Sequence, residues 1–300
     1  MNITFRQLRL FVALADTGSV TAAARALHVT QPTASMQLRE ITAAVGLPLY
    51  ELVARKVHLT EAGEQLARTA RAIVDEWERY GQTVNAMRGL TRGRLRVAVV
   101  STAKYFVPRL LGSFCTGHPG IDISLEVLNR DGVVQRLRDN RDDLYVMSMP
   151  PTDMELEDHV FLANPLVLIA PRDHRLNGRR RMALSALASE RFLLREPGSG
   201  TRLATDRHFE QQGFSPASRL ELGSNEAIKE AVAGHLGVAV VSRHALKPAE
   251  LARDLCILPV TGLPIRSQWH VVHPRARQLS PIAQVFHAHL LREARHWSVD

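Results

Sequence analysis

Cysteine is scarce in this chain: two among 300 residues, Cys115 and Cys256. Neither belongs to a CxxC pair and neither stands at ligand spacing from a histidine, which argues against a disulfide framework or a zinc site. Both lie in apolar contexts and read as buried thiols, in keeping with a reducing cytoplasm. Long apolar runs are missing as well. No stretch approaches the roughly eighteen residues of a membrane span, so no membrane partner is expected. Met1–Leu10 carries Arg6 and Arg9 but no small-residue cleavage site, and reads as a helix rather than a signal peptide. Low-complexity tracts and internal repeats are absent.

Catalytic signatures are missing too. There is no GxGxxG or Walker loop, and Gly198-Ser199-Gly200 is not a GxSxG elbow. The thirteen histidines are scattered. His287 and His289, two apart, face opposite sides of a helix and make poor joint metal ligands. No nucleophile, base and orienter can be proposed together, so neither an enzyme nor a resident cofactor or metal is expected.

What is present is an ordinary globular composition, 45% hydrophobic and 23% charged, long enough for two or three domains. The net charge of +8 favours a polyanionic partner, although a basic solvated surface would give the same number.

Residues 3–90 show helical spacing, beginning with Phe5, Leu8, Phe11, Val12 and Ala15. Thr17-Gly18-Ser19 breaks the first helix. A short alanine-rich helix, Thr21 to Leu27, follows. After His28-Val29-Thr30 a third helix begins, with Thr30 as N-cap and Pro32 in the first turn, where its missing N–H costs nothing. Residues 47–60 read as a short hairpin, or wing, around Arg55-Lys56. A long helix then spans about 61–90, with Leu66, Ala70, Ile73, Trp77, Tyr80, Val84 and Met87 in steps of four and three. Such a seam on a long helix calls for a second copy of the chain, unless it packs on its own chain. From residue 94 strands and helices alternate. Strands are expected at 94–100, 121–127, 143–149, 160–170, 192–195, 218–222, 237–241, 254–260 and 268–273, with helices at 103–116, 130–139, 201–212, 225–235 and 280–294. That pattern predicts βαβ units, parallel sheets and two small α/β lobes.

Three short helices and a wing make a winged helix-turn-helix, whose third helix enters the major groove by its N-terminal residues. Val20, Ala23, Ala24, Leu27, Val29, Ala34, Leu38 and Ile41 are its expected core. The candidate DNA contacts are Gln31, Pro32, Thr33, Ser35, Met36 and Arg39. Gln31 suits adenine, Thr33 and Met36 a thymine methyl, and Ser35 and Arg39 a phosphate or guanine. Arg55 and Lys56 on the wing suit phosphates or the minor groove.

Candidate ligand contacts gather where strands end. Ser101 and Thr102, with Lys104 one turn on, offer hydroxyls, free N–H groups and a cation to an anion, or Ser101 is simply a helix cap. Arg195, Ser199, Thr201 and Arg202 flank Gly198 and Gly200 where Thr201 is expected to cap a helix; a flexible loop is the plainer reading. Asn129, Ser148 and Asn225 complete the ring, with Lys229 one turn into the helix that opens at Asn225. The chain is expected to cross between lobes near Asn164-Pro165 and Ser267-Gln268.

The stretches Phe5-Arg6-Gln7-Leu8, Ser19-Val20-Thr21-Ala22-Ala23-Ala24, Val29-Thr30-Gln31-Pro32-Thr33-Ala34-Ser35, Gly46-Leu47-Pro48-Leu49-Tyr50-Glu51 and Leu59-Thr60-Glu61-Ala62-Gly63 resemble the N-terminus of LysR-type transcriptional regulators. The resemblance implies an α/β chain in three parts. Residues 1–60 form a winged helix-turn-helix for double-stranded DNA and 61–92 a dimerising linker helix. Residues 93–300 form a two-lobed effector domain like a periplasmic binding protein, lobe I being about 93–164 with 268–300 and lobe II about 165–267. It further implies tetramers, with RNA polymerase a candidate partner. Many members carry Arg or Lys where this chain has Met36, which cannot donate a hydrogen bond. Ser101, Thr102, Ser148 and Thr201 fall where members contact their effectors. Ser101-Thr102-Ala103-Lys104-Tyr105-Phe106, Glu126-Val127-Leu128-Asn129-Arg130, Met147-Ser148-Met149-Pro150-Pro151, Phe192 to Thr201 and Leu222 to Lys229 resemble more narrowly the RuBisCO operon regulators, the CbbR type. That implies an effector such as a phosphorylated sugar or acid, or NADPH. The alternatives are a LysR-type regulator of another metabolic operon, or a small-solute binding protein without a DNA role.

Overall fold

A computed structural model describes residues 2–53, 56–88 and 92–297. Two compact units are present, Met1–Leu90 with Asp139–Arg141, and Thr91–Arg138 with Asp142–Asp300.

The first unit opens with Thr4, whose hydroxyl accepts from the Gln7 amide while the Gln7 side chain accepts from the Thr4 amide. This capping box starts α1 (Phe5–Thr17), and Gly18, in the left-handed region at φ 61°, ends it. Ser19 and Thr30 cap α2 (Val20–Ala26) and α3 (Gln31–Val45) through the amides of Ala22 and Thr33. Leu10, Phe11, Leu14, Ala23, Ala24, Ala34, Leu38 and Ile41 form the core. The two alanines let α2 approach its neighbours closely. Val20, Leu27 and Val29 sit half-buried at the edge of this core rather than inside it. The wing pairs β1 (Tyr50–Val53) with β2 (Lys56–Leu59), Val53 opposite Lys56. Arg55 lies outside the described residues.

Thr60 caps α4 (Glu61–Met87) through the Gly63 amide and donates to the Pro48 carbonyl at 2.6 Å. A Cβ on Gly63 would stand 1.8 Å from the Leu49 carbonyl oxygen, so this approach of helix to wing requires glycine. The heptad seam of α4 divides in two. Ala70 is buried and Leu66 packs on the helical core. Ile73, Trp77, Tyr80 and Met87 are open to solvent, Trp77 at 63%. Phe5, Trp77 and Tyr80 form a run of rings with centroids 5.9 Å apart at each step, beside an open groove of about 650 Å³.

The second unit holds two five-stranded sheets. β3 (Gly93–Val100) leads through a 3-10 turn at Ser101–Tyr105 into α5 (Val107–Gly117), then β4 (Ile121–Leu128), α6 (Arg130–Arg138), β5 (Leu144–Met147) and β6 (Leu156–Ala163). β7 (Leu166–Pro171), β8 (Arg191–Arg195), α7 (Gly200–Gln211), β9 (Ser218–Leu222), α8 (Asn225–Ala233), β10 (Val238–Ser242), α9 (Pro248–Arg253) and β11 (Leu255–Ile257) follow. β12 (Gln268–Pro274) and α10 (Pro281–Glu293) end the fold. The first sheet runs β4-β3-β5-β12-β6 and the second β11-β7-β10-β8-β9. Each lobe buries an apolar core, the first around Val97, Val99, Phe106, Tyr145 and Trp269.

Several expectations are corrected. The single strand at 160–170 is two strands in different sheets, because Pro165 has no N–H for a ladder and the buried Asn164 instead accepts from the Ser242 hydroxyl at 2.6 Å. The sheets are mixed rather than parallel. The chain crosses between lobes twice, so β12 lies antiparallel to β5 and β6, and β7 antiparallel to β10 and β11. The helix expected from 103 is a 3-10 turn broken at Phe106, and α5 restarts with Pro108 in its first turn. Cys115 is exposed on the outer face of α5, while Cys256 is buried.

Candidate nucleic-acid interface and ligand cleft

The N-terminal turns of α3 present short polar side chains on a rigid element. Gln31, Pro32 and Arg39 are exposed and Met36 is 49% exposed, whereas Thr33 and Ser35 are half-buried. The internal claims on them are light. Gln31 Nε2 reaches Ser35 Oγ at 3.4 Å, and the Thr33 and Thr30 hydroxyls lie 2.8 Å apart. No ion pair engages Arg39 among the described residues. Lys56 is exposed on β2. Leu52 and Val53 on β1 are exposed apolar residues of the wing.

The cleft of the second unit gathers side chains from the carboxyl ends of strands in both lobes. Arg195, at the end of β8 and 2% exposed, is its centre. Its guanidinium grips the Glu196 carboxylate at 2.7 and 2.8 Å, donates to Asn225 Oδ1 at 2.9 Å and reaches Ser101 Oγ at 3.2 Å. Asn225 Nδ2 in turn donates to Thr102 Oγ1 at 3.0 Å. Ser101, Thr102, Arg195 and Asn225 therefore form one network across the two lobes. Ser148, buried after β5, faces the start of α7, where a Cβ on Gly200 would come within 3.0 Å of its hydroxyl. Gly198 (φ 81°) accepts from the Asp131 amide of the other lobe at 3.2 Å, and a Cβ there would meet the Asp131 carboxylate at 2.5 Å.

Other predicted residues are placed differently. Ser199, not Thr201, holds the N-cap position of α7; Thr201 is buried one residue inside the helix. Asn129 caps α6, its Oδ1 accepting from the Gly132 amide at 2.9 Å. Arg202 donates to the Arg195 carbonyl at 2.8 Å and to Asp206 at 2.6 Å. Lys229 turns to the Ala245 carbonyl and to Glu250. Lys104 stands at the rim, 3.0 Å from Glu226 Oε2.

The sequence reading missed Tyr105, Glu196 and Glu226, whose contacts join residues more than a hundred positions apart in the case of Glu226. Tyr105 donates its hydroxyl to Glu226 Oε1 at 2.7 Å. Burial and the Glu226 bond raise the Tyr105 pKa. For Glu226 burial alone would act upward, but the hydrogen bonds from Tyr105 and Lys104 prevail and hold the carboxyl at about 2. Beside the crossovers lies an open cavity of about 470 Å³, lined among others by Met149, Pro165, Arg266 and Ser267. Among the described residues no cluster of His, Cys, Asp and Glu is arranged to hold a metal.

A winged helix-turn-helix, a long helix with an open seam and a two-lobed cleft define a ligand-controlled transcriptional regulator. The chain belongs to the LysR family: residues 5–64 match the bacterial regulatory helix-turn-helix protein, lysR family, and residues 88–295 match the LysR substrate binding domain. It is 42% identical over 289 residues to the RuBisCO operon transcriptional regulator of Acidithiobacillus ferrooxidans, covering 96% of this chain and 94% of that one. It is 43% identical over 294 residues to the protein of the same name from Allochromatium vinosum, covering 98% and 97%. The CcmR regulatory domain of Synechocystis PCC6803, solved in complex with 2-PG, is 46% identical with a TM-score of 0.66, covering 68% of this chain and 98% of that one.

Proposed function

We propose that this LysR-type regulator controls RuBisCO operon genes in response to a small anionic metabolite held in the cleft of its second unit. The carrying observation is the similarity to two RuBisCO operon regulators along nearly the whole chain, reader and sensor alike. The bound 2-PG of the similar regulatory domain and the Arg195-centred cleft support an anion such as a phosphorylated acid.

On the DNA side, Gln31, Pro32, Thr33, Ser35, Met36 and Arg39 enter the major groove, and Lys56 contacts a phosphate. The exposure of Gln31, Pro32, Met36, Arg39 and Lys56 and the weak internal bonding of Gln31 and Ser35 support this. The open Ile73, Trp77 and Tyr80 face of α4 seats the same helix of a second copy, which sets two reading helices on paired half-sites. Effector-driven closure of the lobes changes the spacing of the readers and hence the DNA bend. Such a protein works in the cytoplasm, where the chromosome is.

Footprinting of the wild type and Trp77→Glu on DNA upstream of the RuBisCO genes, with and without 2-PG, tests this reading. The wild type is expected to protect two half-sites and to alter the pattern with 2-PG, and Trp77→Glu to lose the paired protection. Protection of some other operator but not this one removes the regulon; paired protection by Trp77→Glu removes the dimer seam.

A further inference from the structure

The cations of the cleft are already matched by carboxylates of the same chain. Glu196 holds Arg195 within one lobe, but Glu226 acts between lobes. Its two partners, Lys104 and Tyr105, follow β3 in the first lobe, while Glu226 opens α8 in the second. We propose that Glu226 is a carboxylate latch that closes the empty cleft and competes with the anionic effector for Lys104. This rests on the anion-binding reading of the cleft.

Geometry and chemistry support it together. One carboxylate takes both a charged and a neutral donor from the facing lobe, at 3.0 and 2.7 Å. Lys229 of the second lobe lies 5.5 Å over the Tyr105 ring and holds the same ring from another side. Glu226 stays ionised throughout the physiological range, so the latch is set whenever the cleft is empty. Its side chain is 50% exposed and can swing into water once Lys104 is taken by another anion. A neutral ligand offers Lys104 no replacement charge and leaves the latch shut, so the exchange selects for anions.

Glu226→Gln tests the proposal in the full-length protein. It keeps the shape and can still accept from Tyr105, but removes the charge. Two readouts separate the claims. Spin labels on the exposed Cys115 in the first lobe and on a cysteine introduced at Gln211 in the second report lobe spacing without ligand, with labelled chains diluted in unlabelled ones. Calorimetry reports 2-PG affinity. The variant is expected to show a broader, longer distance distribution and roughly fivefold tighter 2-PG binding (about 1 kcal/mol). An unchanged distribution overturns the latch, and equal or weaker 2-PG binding by the variant overturns the competition. Broadening with no 2-PG binding by either protein upholds the latch and removes 2-PG from the preceding reading.

Discussion

Gln31 and Arg39 on α3 face solvent, and among the described residues their side chains make one hydrogen bond, a 3.4 Å contact from Gln31 to Ser35. Arg195 in the cleft is 2% exposed and its guanidinium bonds to Glu196, Asn225 and Ser101. On the proposed function both regions take anions, yet they are built in opposite ways. A reading face must keep its donors free, because the partner is large and supplies the desolvation. A sensing cleft must not collapse or admit every ion when empty, so its polar groups satisfy one another until a better partner arrives. Substitutions in the reader therefore separate binding from stability, and substitutions in the sensor mix the two.

The largest expected effect is at Arg195. Arg195→Met leaves the Glu196 carboxylate, Asn225 Oδ1 and Ser101 without their donor in a buried place. The second unit should lose about 2–3 kcal/mol in urea unfolding, and 2-PG binding should fall roughly a hundredfold. Basal DNA affinity should hold. A variant as stable as the wild type would mean that the Arg195 network does not hold the second unit together, and the contrast between the regions would fail.

What could be read beforehand follows the same division. The reader is written in local signals: Thr30 as cap, Pro32 in the first turn, and Ala23 and Ala24 where helices touch. Each acts over a few residues, so spacing reveals it. The cleft is written in long-range pairs. Lys104 meets Glu226 across 122 positions and Arg195 meets Ser101 across 94. Periodicity shows which strand ends bear polar residues, but not which of them meet, and so Glu226 and Tyr105 went unnoticed. The strand pattern also hid the switch at Asn164-Pro165. Both flanks are equally strand-like, and only the sheet order shows that they belong to different lobes.

A middle-sized effect is expected on α3. Gln31→Ala and Arg39→Ala should each weaken operator binding by about 1–3 kcal/mol if each reads a base edge. Thermal unfolding should move little, because neither residue anchors the core. Binding isotherms on the operator and on one with a single altered base pair measure this. A uniform loss on both sequences would reassign the residue to the phosphates, and a matching loss of stability would show that the reader is as internally bonded as the sensor.

The smallest effect belongs to Lys56. It is exposed on β2, opposite Val53 in the hairpin, and its charge has no intramolecular partner among the described residues. A phosphate is the natural counterpart for such a cation at the edge of a groove. One lysine on one phosphate releases about one counterion, so Lys56→Ala should lower the slope of log affinity against log salt by about 0.9, with the same shift on any sequence. The effect should be plain at low salt and fade as salt rises. An unchanged slope would place Lys56 away from the phosphates.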